Sequence, residues 1–99
     1  MALRISGKNV DVGDALRVHV TDRIEDALEK YFTGGFTGHV TLSREGTGFK
    51  SECSLHLDTG IVLQVSAQDQ DPRNSFDLAA DKIEKRLRRY KRKLKDHHS

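Results

Sequence analysis

The chain has 99 residues, 35% apolar and 32% charged, with no Trp, a single Pro and a single Cys. That is enough chain for one domain and one core; the lone Cys53 excludes an internal disulfide framework. No apolar run approaches the ~20 residues of a membrane helix, and the opening MALRISGKNV, charged at Arg4, is not a secretory signal. These absences predict a soluble protein in a reducing, cytoplasmic setting.

The net charge of +2 hides an asymmetry. Residues 82–95 (KIEKRLRRYKRKLK) hold nine basic residues and one acid, a local charge of +8, which leaves −6 on the rest of the chain. An acidic body with a strongly basic tail points to a polyanionic partner.

In chain order, residues 2–8 (ALRISGK) alternate, with Leu3 and Ile5 on one side and Arg4 and Ser6 on the other, which predicts a short strand. Asp14 is the expected cap of a first helix. Along it Leu16, Val20, Ile24, Ala27, Leu28, Tyr31 and Phe32 recur at three- and four-residue steps, an apolar stripe about eighteen residues long. Gly34-Gly35 is the expected stop. Three strands follow over 38–45, 49–58 and 61–68, joined at Gly46-Thr47-Gly48 and Asp58-Thr59-Gly60. Their spacing predicts an antiparallel meander.

Val40, Leu42, Cys53, Leu55, Leu57, Ile61, Leu63, Val65 and Ala67 face inward in this pattern. Thr41, Ser43, Ser54, His56, Gln64, Ser66 and Gln68 form a polar opposite face, so helices should cover one side only. The helix between the first strand and the meander is a crossover, which predicts a parallel pairing. Asp71 and Pro72 fit the cap and first turn of a second helix reaching about residue 95. Its apolar stripe is Phe76, Ala80, Ile83, Leu87, Tyr90 and Leu94. The expected architecture is α+β in the order β-α-β-β-β-α: a four-stranded mixed sheet with two helices packed on one face.

The second helix carries the chemistry. With its stripe turned to the core, Lys82, Arg86, Arg89 and Lys93 share one flank, Lys85 and Arg92 point outward, and Arg88 and Lys95 lie on the other flank. Like charges at these spacings oppose helix formation by a few tenths of a kcal/mol per pair, so folding alone does not call for them. A rod of cations suits nucleic-acid phosphates. The plainer reading is a solvated face, partly neutralised by Asp22, Glu25, Asp26 and Glu29 of the first helix, which could pair with Arg88 or Lys95. The sheet's polar face lacks aromatics, so phosphate and shape readout fits better than base stacking. Cys53 and His56 fall on opposite strand faces and cannot share a metal. His19 is expected to be half exposed on the first helix, and His97-His98 exposed. No phosphate loop, nucleophile elbow or metal motif is present, so neither an enzyme nor a cofactor is expected.

The opening RISGKNVDVGDALRVHV, the stretch HVTLSREGTGF and the terminal DKIEKRLRRYKRKL, in this element order, resemble the ribosome hibernation promoting factor family, which includes the ribosome-associated inhibitor once described as a sigma-54 modulation protein. The resemblance spans nearly the whole chain. It implies a double-stranded-RNA-binding-like fold and binding to the small ribosomal subunit and its rRNA, in the channel of messenger and of A- and P-site transfer RNA. Translation would be inhibited and ribosomes stored in stationary phase or stress. It maps the family's basic positions to Lys82, Lys85, Arg89 and Lys93 on the last helix, Arg17 and Arg23 on the first, and His39 and Arg44 on the second strand. Together with Arg86 and Arg92 these are the candidate rRNA contacts. One departure stands out: where the family usually has Asp-Met-Tyr-x-Ala-Ile-Asp entering the last helix, this chain has Asp71-Pro72-Arg73-Asn74-Ser75-Phe76-Asp77, with Arg73 at the tyrosine position.

Residues 1–95 are thus expected to form a single ribosome-binding domain, with 96–99 a tail or the start of a linker. Long family forms add a second domain that dimerises ribosomes. Two rivals stand beside this: a protein-interaction regulator whose basic helix docks on an acidic partner such as a transcription factor, and a generic duplex-RNA binder.

Overall fold

The computed structural model describes residues 3–97, with side chains up to Lys91. The elements are β1 (Leu3–Lys8), α1 (Asp14–Tyr31), β2 (Phe36–Glu45), β3 (Gly48–Leu57), β4 (Val62–Asp69) and α2 (Pro72–His97). The sheet order is β1-β2-β3-β4, with β1 parallel to β2 and the other pairs antiparallel. This is the expected architecture, crossover included. Among the described residues no helix is long and apolar enough to cross a membrane.

The core lies between the sheet and the two helices. Val40, Leu42, Cys53, Leu55, Leu57, Leu63 and Ala67 from the sheet meet Val20, Ile24, Ala27 and Leu28 of α1 and Phe76, Ala80, Ile83 and Leu87 of α2. The middle of each apolar stripe is therefore buried where its period placed it, with Leu16, Tyr31, Phe32 and Tyr90 partly buried at the margins; Leu94 lies outside the described side chains. Burial pushes the Cys53 thiol up to about 12, because a thiolate in apolar surroundings loses its hydration.

The element ends depart slightly from expectation. Gly13, not Asp14, occupies the N-cap of α1, without a side-chain hydrogen bond. Asp14 is the first helical residue, where its charge still favours the positive end of the helix dipole. The helix ends at Tyr31, before the two glycines, as Phe32 turns extended while its N–H bonds the Leu28 carbonyl (2.7 Å). At α2, Asp71 Oδ2 accepts from the Asn74 N–H (3.0 Å), a side-chain cap with Pro72 in the first turn, as predicted. The β2–β3 hairpin turns at Gly46-Thr47, where Gly46 takes φ +58°, which costs a glycine little.

A buried polar contact fixes the start of α2. Ser75 Oγ donates to the Pro72 carbonyl (2.7 Å), so its one proton is used, and it must accept from Ser51 Oγ of β3 (2.7 Å).

Two helix cations also close on the sheet's outer strands. Arg17 Nη1 donates to the Ile5 carbonyl of β1 (2.9 Å), and Lys82 Nζ to the Ser66 carbonyl of β4 (2.7 Å).

Candidate nucleic-acid interface

The α1–α2 contacts advance together along both helices: His19 to Asp77, Arg23 to Asp81 and Glu84, Tyr31 to Arg88. The helices therefore lie side by side and parallel. This seam decides which cations of α2 are free. Arg88 donates to the Tyr31 hydroxyl (3.4 Å), lies over that ring (5.8 Å) and pairs with Glu84 (3.5 Å). Its charge is turned toward α1. Lys91 Nζ reaches the Lys30 carbonyl (3.3 Å).

Away from the seam, Lys82, Lys85, Arg86 and Arg89 are exposed. None of the four has a carboxylate partner among the described residues. Asp22, Glu25, Asp26 and Glu29 line a separate groove with Phe32 and Phe36. They take no part in an ion pair among the described residues; Arg88, one cation they were expected to meet, is held by Glu84 instead. Arg92, Lys93, Lys95 and His98 lie outside the described side chains, as does the side chain of His97.

The other candidate positions separate into different settings. Arg23 is drawn into the seam: Nη1 donates to Glu84 and Nη2 to Asp81, both at 2.9 Å. Burial alone would lower its pKa, but the hydrogen bonds and charges of Asp81 and Glu84 raise it, so it stays a cation with its donors engaged. Arg17 is exposed beside β1 with one nitrogen bonded to Ile5. Arg44, at the end of β2, lies over the Phe49 ring (5.4 Å). His39 stands on the open sheet face, Nε2 within 2.9 Å of Ser6 Oγ and 3.4 Å of Thr41 Oγ1. His19 is half buried between the helices, bonded to Asp77 (2.6 Å), edge-on to Phe76 and within 3.5 Å of Arg73. Arg73, at the departed tyrosine position, thus sits beside the seam.

The strand registers arrange the helix-free face in rows running from β1 to β4. One row is Arg4, His39, Ser54 and Gln64; the next is Ser6, Thr41, Glu52 and Ser66; the third is Lys8, Ser43, Lys50 and Gln68. Lys82 and Arg86 reach over β4 and join this face in a basin of about 580 Å³. The α2 flank and the sheet face are therefore one continuous surface. Arg4, Lys8 and Lys50 were not among the sequence candidates. Their signal was the alternation of β1 and β3, which places each on the polar face, but only the register shows that they converge.

No cluster of three or more His, Cys, Asp or Glu that could hold a metal occurs among the described residues. Cys53 is buried and His56 exposed, on opposite faces as expected.

The chain has relatives. Residues 3–95 match the family described as sigma 54 modulation protein / S30EA ribosomal protein. The chain is 52% identical over 99 residues to the ribosome hibernation promotion factor of Rhizobium meliloti (strain 1021), covering all of this chain and 52% of that protein. It is 36% identical over 97 residues to the ribosome hibernation promoting factor of Escherichia coli (strain K12), covering 98% of this chain and all of that one. The chain thus spans about half the length of the Rhizobium relative and the whole length of the Escherichia one. Among solved structures, the Thermus thermophilus Protein Y N-terminal domain superposes with a TM-score of 0.80 at 26% identity, covering 88% of this chain and 94% of that one. With the fold, the match along residues 3–95 and these relatives in agreement, the chain belongs to the sigma 54 modulation protein / S30EA ribosomal protein family.

Proposed function

We propose that this domain is a ribosome-binding translation inhibitor and hibernation factor. It lays the exposed flank of α2 against rRNA phosphates of the small subunit, and its folded body fills the channel used by messenger and transfer RNA. The observation that carries this is the set Lys82, Lys85, Arg86 and Arg89: exposed, on a helix anchored by its opposite face, and without a carboxylate partner among the described residues. Phosphate recognition needs such unneutralised cations on a rigid support. The family is one of ribosome hibernation factors rather than enzymes, and the proposed mechanism is occupancy, with no chemical step. Where a longer chain supplies a second domain, ribosome dimerisation belongs to that domain.

The test is co-sedimentation with purified small and large subunits across a salt series, with transfer RNA as competitor. Saturable, salt-sensitive binding to the small subunit that transfer RNA weakens is expected. K85A/R86A/R89A should lose roughly 4–5-fold in affinity per phosphate contact at ~0.15 M salt, from a slope of about 0.7–0.9 per contact, while remaining folded. Equal binding to both subunits, or none at low salt, overturns the proposal. A stoichiometric complex with an acidic protein that survives ribonuclease would favour the interaction-module reading instead.

A further inference from the structure

The helix-free face of the sheet has the composition of a binding surface. Arg4 and Lys8 stand at the two β1 corners of the rows described above, Lys50 stands on β3 in the same row as Lys8, and His39 and His56 stand between or beside them. Ser6, Thr41, Ser43, Ser54, Ser66, Gln64 and Gln68 fill the rest. Glu52 is the one carboxylate in these rows, with Lys50 Nζ 3.9 Å away. From Arg4 to Lys8 is about 13 Å along the strand, and from β1 to β4 about 14 Å across. The face is therefore broad, hydroxyl-rich and cationic.

Each alternative partner lacks a feature it would need. Base stacking is served best by Phe, Tyr or Trp platforms, and these rows have none of the three. A hydrophobic protein interface requires an apolar centre, and the one large apolar residue here is the lone Val62, beside His56. Cations among hydroxyl and amide groups match a sugar–phosphate backbone, whose phosphates take the charges and whose 2′-hydroxyls both donate and accept.

We infer that this sheet face is a second contact surface for the RNA sugar–phosphate backbone, continuous with the α2 flank through Lys82 and Arg86. This rests on the function proposed above and extends it to Arg4, Lys8, Lys50 and His56. His39 faces Arg4 and Ser6 on β1, Thr41 on its own strand and Ser54 on β3. His56 faces Thr37 on β2 and Val62 on β4, with Arg4 sharing the same hollow. The charged groups at the β4 side are Lys82 and Arg86 of α2. An anionic backbone laid across the face would meet both rings.

Affinity for purified small subunits, measured against salt, tests this with a variant whose folding is checked by urea unfolding. R4Q/K8Q/K50Q should weaken binding by on the order of 10²-fold at ~0.15 M salt and flatten the salt slope by about 2–3, the contribution of three phosphate contacts. The inference is overturned if wild type binds the small subunit while R4Q/K8Q/K50Q matches it in affinity and slope. If wild type binds neither subunit, the proposed function fails; the same variant titrated on a short RNA duplex then decides the sheet face separately, and an unchanged affinity there overturns it too.

Discussion

Arg23 provides the sharpest test of the division between structural and ligand-binding cations. Its guanidinium forks between Asp81 and Glu84, two charge-assisted bonds of 2.9 Å across the helix seam. The Asp81 side chain is 70% exposed, so its bond adds about 0–1 kcal/mol. Glu84 is only 16% exposed, and without Arg23 its one remaining ionic neighbour among the described residues is Arg88 at 3.5 Å. A hydrogen bond to such a partly desolvated charge contributes about 1.5–3 kcal/mol. Arg23→Met keeps the stem and removes the fork, and should destabilise the domain by about 2–3 kcal/mol, a shift of roughly 1 M in the urea midpoint. A cycle with Glu84→Gln should show that most of this is coupling, because each single change removes the same contact. Subunit affinity and its salt slope, measured well below the unfolding transition, should match wild type. A loss below about 0.5 kcal/mol, the size of an ordinary surface change, or a flattened salt slope, would refute the assignment of Arg23 to the seam.

Two further outcomes concern the core. The Cys53 thiol is raised to about 12 in the fold, above its unfolded value near 8.5. Its stabilising effect is complete below that unfolded value and is lost as pH rises toward 12, by about 2 kcal/mol at pH 10. Unfolding free energies measured from pH 7 to 10 should fall more steeply for wild type than for Cys53→Ala; parallel curves would contradict this. Ser75→Ala leaves the Ser51 hydroxyl buried without an acceptor, so it should cost about 1–3 kcal/mol. Ser51→Ala leaves the Ser75 bond to Pro72 intact and should cost about 1 kcal/mol or less. Equal costs in urea unfolding would mean that the proton sits the other way round.

The element order, the parallel crossover and nearly every core position were legible because two periods, 2 and 3.6, separate the strands from the helices. Helix ends were less legible. At α1, a glycine with extended backbone served as the cap, and Phe32 turned away before the glycines that seemed the obvious stop. The basic flank of α2 could be read from a helical wheel, because wheel and core stripe are fixed by the same rotation. Arg23 could not be assigned this way: a cation on a helix has one signature in sequence, whether it meets solvent or a carboxylate from a helix sixty residues on. Arg4, Lys8 and Lys50 were individually visible as outward residues. Their convergence depends on strand register, which no single strand encodes.

The helix cation bonded to one carbonyl of each outer strand has a consequence for the life of this domain in a crowded cell. A bare strand edge is a template on which another chain can add. Here the plugs at Ile5 and Ser66 are Arg17 and Lys82, the same kinds of side chain that a polyanion would compete for. Guarding against self-association and gripping a ligand thus share a pool of charge. A defect from neutralising Lys82 would mix weaker binding with stickier protein, and a light-scattering control would tell lost affinity from aggregation.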